Sequence, residues 1–320
     1  MTRDKETKKA AFVSMHIPKE VQTEPWGLTG EWCWKKAYQA DVLNPRLVAR
    51  QWSVLDAYDL IFVPGYISGF QWLRELFNGH RPRGKVITWI DYSSELIWRL
   101  PAIVEDPTLP MVIKQADVII SPEQGFEPYY RGTEAQIVAM AHPVDGEVLK
   151  QRFHRPSLLA KVPGAPVCLW VFHRWQTDSW PRIVPMVQAY PEYAHIAVGL
   201  SPEGREYAEM YLDAAFTILP MKDFLRLLAG STLCVDMHSY RSIGRVVLEA
   251  ASLGVPVLVN RTPTCHVDTW KWYNGLNVGC GPVQAEQVKR HWIKQAKADL
   301  DAALNGGPNR ETGKNGGVCG

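Results

Sequence analysis

A chain of 320 residues that is 46% hydrophobic and 21% charged carries ample core-forming material, and its length favours two domains over one. This composition excludes an intrinsically disordered protein. The net charge is only +2, with a mildly acidic first half and a mildly basic second half, which suits an anionic ligand on the second half without demanding nucleic acid.

Residues 10–17 read as a first strand, followed by a loop in which Gly27 and Gly30 precede a helix-like stretch. Residues 59–64 (DLIFVP), 85–91 (KVITWID), 116–121 (ADVIIS) and 135–141 (AQIVAMA) read as short apolar strands, with helical patterns between several of them, such as 69–77. After HPVD at 142–145 the pattern loosens into the charged, proline-containing LKQRFHRPSLLAKVPGAP, read as an interdomain linker. Strands resume at 167–172, 194–199, 216–219, 232–235 and 255–259, again separated by helices, and a last helical pattern covers 285–304. The expected fold class is α/β, with two tandem Rossmann-like domains, 1–158 and 159–304, facing across a cleft, and a disordered tail at 305–320. The Gly313-Lys314 pair in that tail is no phosphate loop, because Asn315 stands where Ser or Thr is needed and no strand precedes it.

No stretch approaches the ~18 uninterrupted apolar residues of a membrane-spanning helix. The apolar run near the N-terminus is too short for a signal peptide, so a cytoplasmic protein without a membrane span is expected. Cys33, Cys168, Cys234, Cys265, Cys280 and Cys319 are scattered with no C-x-x-C pair, which signals neither zinc nor disulfides and leaves buried free thiols as the expectation.

The chemically informative stretch is 234–260, CVDMHSYRSIGRVVLEAASLGVPVLVN, which reads as strand, loop, helix, strand. Ser242, Ile243, Gly244 and Arg245 would present free backbone N–H groups and the positive end of a helix dipole to an anion. Gly244 permits close approach, Arg245 adds a cation, and Glu249, one turn on, has the capacity to accept hydrogen bonds from two neighbouring hydroxyls. Diphosphate plus diol points to a nucleotide sugar. The alternative is an ordinary βαβ unit whose glycine sits in a turn and whose glutamate is solvated. His173, His238 and His266 fall near the same segments, but lone histidines beside strands are more often structural than catalytic.

The order of these elements resembles the GT-B glycosyltransferases, especially the retaining group with the signature E-x7-E. The Gly27/Gly30 loop, the HPVD segment, the VFHRW strand end, FTILPMKDFLRLLAGSTLCVD, SIGRVVLEAASLGVPVLVN and WYNGLNVG all look like their counterparts, in the same order. The resemblance implies that Glu249 is the second signature Glu and holds the ribose hydroxyls. It also implies that Ser242, Ile243 and Gly244 meet the diphosphate, and that Arg174 neutralises the leaving group. By the same resemblance the backbone around Leu219 and Met221 frames the base, and Gly30 approaches the donor from the other domain. Two departures stand out: Arg241 replaces the first signature Glu, and the Lys usual shortly after Arg174 is absent, with Arg182 the nearest substitute. Where the family often places a His, this chain has Asp91, read either as a base for an acceptor hydroxyl or as a helix cap.

The function that follows is transfer of a sugar from a UDP- or GDP-sugar to an acceptor hydroxyl, with no cofactor beyond the donor. No acidic metal pair is evident in these motifs, so metal-independent chemistry is expected. DNA carrying a hydroxymethylated pyrimidine is one expected acceptor, since WCWKK, HRPRGK, FHRW and KRHWIK interleave basic and aromatic residues. Solvated surface segments are the plain alternative for those four stretches, and small-molecule or glycan acceptors stay open. A non-catalytic nucleotide-sugar or carbohydrate-binding protein is the rival, given Arg241. An NAD-dependent dehydrogenase is disfavoured, because no G-x-G-x-x-G follows any strand.

Overall fold

The structure is a computed structural model that describes residues 8–13, 30–64, 81–89, 108–121, 133–140, 143–153, 164–172, 180–236, 245–259 and 292–306. Its contacts divide the chain into two units, Met1–Pro143 with Ile293–Gly320, and Val144–Trp292.

In the first unit, β1 (Ala10–Val13), α1 (Gly30–Tyr38), β2 (Asp41–Leu43), α2 (Pro45–Arg50) and a 3₁₀ helix (Trp52–Ala57) lead into β3 (Leu60–Pro64). β4 (Lys85–Trp89), α3 (Thr108–Gln115), β5 (Val118–Ser121) and β6 (Gln136–Ala139) follow. The six strands form one parallel sheet, in the order β2-β1-β3-β4-β5-β6. Phe12, Phe62, Ile87 and Trp89 point to one face with Trp34 and Tyr38, while Ala11, Val13, Ile61, Val63 and Val86 point to the other. Burial on both faces is why these strands read as unbroken apolar runs rather than alternating ones. Phe12 stacks on Phe62 with ring centroids 5.5 Å apart.

In the second unit, α4 (Gly146–Phe153), β7 (Val167–Val171), α5 (Trp180–Ala189), β8 (Ala194–Val198) and α6 (Pro202–Ala208) precede β9 (Ala214–Ala215). α7 (Met221–Ala229), β10 (Leu233–Asp236), α8 (Arg245–Ser252) and β11 (Val257–Val259) complete it. The sheet is parallel, with the order β11-β10-β7-β8-β9. Strand order therefore reverses between β7 and β10, the arrangement of a Rossmann half. Among the described residues, no helix is long and apolar enough to cross a membrane.

Four expectations need correction. The strand expected at 216–219 is instead the two-residue β9 at Ala214–Ala215. Phe216 donates one more bond, to the Ala197 carbonyl, and then Pro220, which has no N–H, caps α7. The expected linker begins too early, because Gly146–Phe153 is helix α4, capped by Asp145 through its side chain to Val148 N at 3.3 Å. The expected division at 158/159 thus differs from the observed one at 143/144.

The final helix, α9 (Ile293–Leu304), also departs from the expected domains, because it packs in the first unit rather than the second. Ala296, Leu300, Ala303 and Leu304 join the core of Phe62 and Trp34, and Tyr38 Oη donates to Asp301 Oδ1 at 2.8 Å. The first part of the expected helix, 285–291, lies outside the described residues, as do the expected helix at 69–77 and the tail from 307 onward.

The chain leaves the second unit at Trp292, which is held firmly there. Its Nε1–H donates to Ser252 Oγ at 2.9 Å, and its backbone bridges in parallel to Val144. Its ring lies where a side chain at Gly146 would be, and Lys150 Nζ sits 4.9 Å from the ring centroid. Only glycine fits at 146 for that reason.

Candidate functional site

In a parallel sheet every strand presents its carboxyl end at the same edge, and the helix after each strand starts there. In the second unit this edge gathers the ends of β7, β9 and β10 with the N-termini of α5, α7 and α8. β7 and β10 are direct neighbours, with Val171 opposite Asp236 in register. The segment 173–179, which holds Arg174, and the segment 237–244, which holds Arg241, Ser242, Ile243 and Gly244, are therefore entered from adjacent strand ends at the switch point. Those five residues lie outside the described residues, as do Asp91, Gly27, His173, His238 and His266.

Two candidates stand on α8. Arg245 is its first residue, and Glu249 lies one turn further on with 2% of its side chain exposed. Arg245 Nη2 donates to Glu249 Oε1 at 2.9 Å. Burial pushes the Glu249 carboxyl above its usual range, and the Arg245 guanidinium opposes that rise. The solvated glutamate of the plainer reading is thus not what the structure has. All of 246–252 is buried, so α8 is a core helix, wrapped by β10, β11 and α4. It ends as a Schellman motif, Val255 N to Ala250 O and Gly254 N to Ala251 O, with Gly254 at φ 76°.

Met221 opens α7 at the same edge and is half-buried, as is Leu219 before it. Gly30 opens α1 in the first unit, as expected of that glycine, while the stretch before it lies outside the described residues. Arg182 lies within α5. Cys33, Cys168 and Cys234 are buried, and burial pushes the Cys168 thiol up to about 12.

Sequence reasoning passed over Gly199 and Asp236. Gly199 follows β8 with φ 82°, and any side chain there would run into the Phe172 carbonyl just after β7, so only glycine fits. Asp236 ends β10 buried at the switch point. The signal for both was a small or acidic residue closing an apolar strand. His195, also unforeseen, is structural: its Nδ1 accepts from Trp170 Nε1–H at 3.1 Å, so its Nε2–H faces the Tyr190 carbonyl at 2.9 Å.

The aromatic and basic stretches divide differently from the expectation. Trp34 of WCWKK is fully buried in the sheet core, and Trp292 of KRHWIK is buried against Ser252. Neither ring is available to stack on a base. In HRPRGK, Arg81 pairs with Asp117 at 2.6 Å and Lys85 donates to the Leu304 carbonyl, at the amino end of β4.

The fold is that of the GT-B glycosyltransferases, two Rossmann-like units each built on a parallel sheet. Among individual solved structures, one described as an alpha-glucosyltransferase in complex with UDP and a 13-mer DNA containing a HMU base has a TM-score of 0.65 at 11% identity. That likeness covers 92% of this chain and 99% of the other. An alpha-glucosyltransferase with UDP-glucose and DNA containing an abasic site gives 0.53 at 14% identity, over 84% and 79% of the two chains. Sucrose-phosphate synthase from Thermosynechococcus elongatus gives 0.56 at 15% identity, over 86% and 78%. No protein-family model and no curated protein matches the chain.

Proposed function

We propose that this protein is a glycosyltransferase that moves a sugar from a nucleoside diphosphate sugar to an acceptor hydroxyl, and that the acceptor is a hydroxymethylated pyrimidine in DNA. The observation that carries the donor half is the carboxyl edge of the second sheet, where α8 brings a buried, Arg-paired Glu249 one turn below a helix N-terminus beside the switch point. Glu249 accepts the ribose hydroxyls, the amides of Ser242, Ile243 and Gly244 meet the diphosphate, and the backbone at Leu219 and Met221 frames the base. As the bond from the sugar's anomeric carbon to the diphosphate oxygen breaks, Arg174 balances the charge that grows there. A new bond forms from that carbon to the acceptor oxygen, and Asp91 takes the hydroxyl proton. These groups need no metal for the charge they handle.

The DNA acceptor is supported by two fold neighbours whose structures contain DNA. Incubating the protein with UDP- and GDP-sugars and DNA containing hydroxymethyluracil or hydroxymethylcytosine, followed by nucleoside mass spectrometry, tests it. A hexose mass gain on the modified base is expected. Donor breakdown with no gain on DNA would move the acceptor to a small molecule or glycan, and donor binding with no turnover on any acceptor would make the protein a binder.

A further inference from the structure

Arg245 opens α8 and reaches down the helix, with Nη2 on Glu249 Oε1 at 2.9 Å and side-chain exposures of 19% and 2%. Helix physics gives no reason for this pair. A cation in the first turn opposes the positive end of the dipole, and Arg four residues before Glu is the less favourable order for an i,i+4 pair. Stability gives no clear reason either, because apolar residues of similar volume often replace a buried ion pair without loss.

The pair does have a chemical consequence. Burial favours the protonated form of Glu249, which donates at one oxygen, and the Arg245 guanidinium beside it favours the carboxylate. Kept ionised, it has about four lone-pair sites, of which the Arg245 contact takes one, leaving room for two hydroxyls. A guanidinium drawn away to a phosphate would strip the buried carboxylate of this partner.

We propose that Arg245 is a positioning residue for the ribose: it holds Glu249 as an oriented carboxylate that reads the vicinal diol of a nucleoside diphosphate, and it does not serve the diphosphate. This rests on the reading that the second unit binds the donor nucleotide. Arg245 thereby changes role from the anion-binding cation expected from sequence to a determinant of ribose over deoxyribose.

The test is calorimetry on the full chain, as wild type, Arg245→Gln, Arg245→Lys and Glu249→Gln, with UDP, 2′-deoxy-UDP, GDP, 2′-deoxy-GDP and inorganic pyrophosphate as probes. Far-UV circular dichroism reports the fold of each variant. Wild type should prefer the ribonucleotide by about tenfold, the worth of one hydrogen bond to a charged group. In Arg245→Gln and Glu249→Gln the preference should fall to within about twofold, with pyrophosphate affinity unchanged. Arg245→Lys, which keeps the charge but loses the fork, should restore part of the preference and decides the matter if Arg245→Gln does not fold. Equal weakening of UDP, 2′-deoxy-UDP and pyrophosphate in the Arg245 variants would overturn the proposal, placing Arg245 on the diphosphate. A preference lost in Glu249→Gln but kept in both Arg245 variants would overturn it while leaving the donor reading intact. A wild type that binds no nucleotide would take down the donor reading, and this proposal with it.

Discussion

Replacing Trp292 with alanine should loosen the Val144–Trp292 unit by about 3–5 kcal/mol, the usual range for truncating a buried tryptophan. The site is 7% exposed, the ring fills the space left by Gly146, and the indole N–H is bonded to the fully buried Ser252. A loss of that size is a large part of the ~5–15 kcal/mol that holds a typical domain. Trp292→Phe separates packing from hydrogen bonding: it keeps most of the ring volume and orphans the Ser252 hydroxyl, at a cost of about 1–3 kcal/mol. Adding Ser252→Ala to Trp292→Phe removes the stranded partner, so the double variant should recover about 1 kcal/mol over the sum of the singles. Urea unfolding followed by circular dichroism measures each variant. Additive effects across the cycle, or a Trp292→Ala loss below about 1 kcal/mol, would show that this ring does not anchor the chain where it leaves the second unit.

Glu249→Ala should weaken UDP or GDP binding by about 1.5–3 kcal/mol in calorimetry, and unchanged affinity for every nucleotide would remove Glu249 from the site. Arg174→Ala should lower turnover more than donor affinity, because its charge acts as the sugar–phosphate bond breaks; a variant with full turnover would sink that role. EDTA should leave turnover intact in the same assay, and loss of activity rescued by a divalent cation would contradict the metal-independent chemistry. For Glu249 the fold holds the carboxyl above its usual range, so the folded state binds this proton more tightly than the unfolded state. The group therefore contributes stability below its unfolded value that is lost as pH rises through the folded one. The stability difference between wild type and Glu249→Gln should fall across that window, and a flat difference would show that burial does not perturb the group.

The sheet architecture was legible because parallel strands buried on both faces give dense apolar runs, as in Leu60–Pro64 and Val167–Val171. Short edge elements were not. β2 is three residues with half-exposed side chains, entered through Gln39 at φ 50°, and β9 is two alanines, so neither carries a pattern. α4 was hidden because its polar face, with Glu147, Lys150, Gln151 and Arg152, outweighs the buried Leu149 and Phe153 in composition. The return of α9 to the first unit depends on Tyr38 meeting Asp301 across 263 positions of sequence, which no local pattern reveals. Around the site, β10, helix α8 and the place of Glu249 one turn into that helix were readable from residue type and spacing. The partner of Arg245 was not, because sequence shows a cation beside an expected anion site and gives no sign that burial of Glu249 claims it first. The same blindness to burial made Trp34 and Trp292 look like stacking surfaces.

Glycosyl transfer requires the chain to break the sugar–phosphate bond of a nucleotide sugar. The most direct measurement is release of free UDP or GDP from a panel of UDP- and GDP-sugars, with and without hydroxymethylated DNA, in wild type and Arg174→Ala. Release by the wild type from at least one donor, stimulated by the modified DNA and depressed in Arg174→Ala, is the predicted result. No release from any donor, with or without acceptor, would contradict the claim.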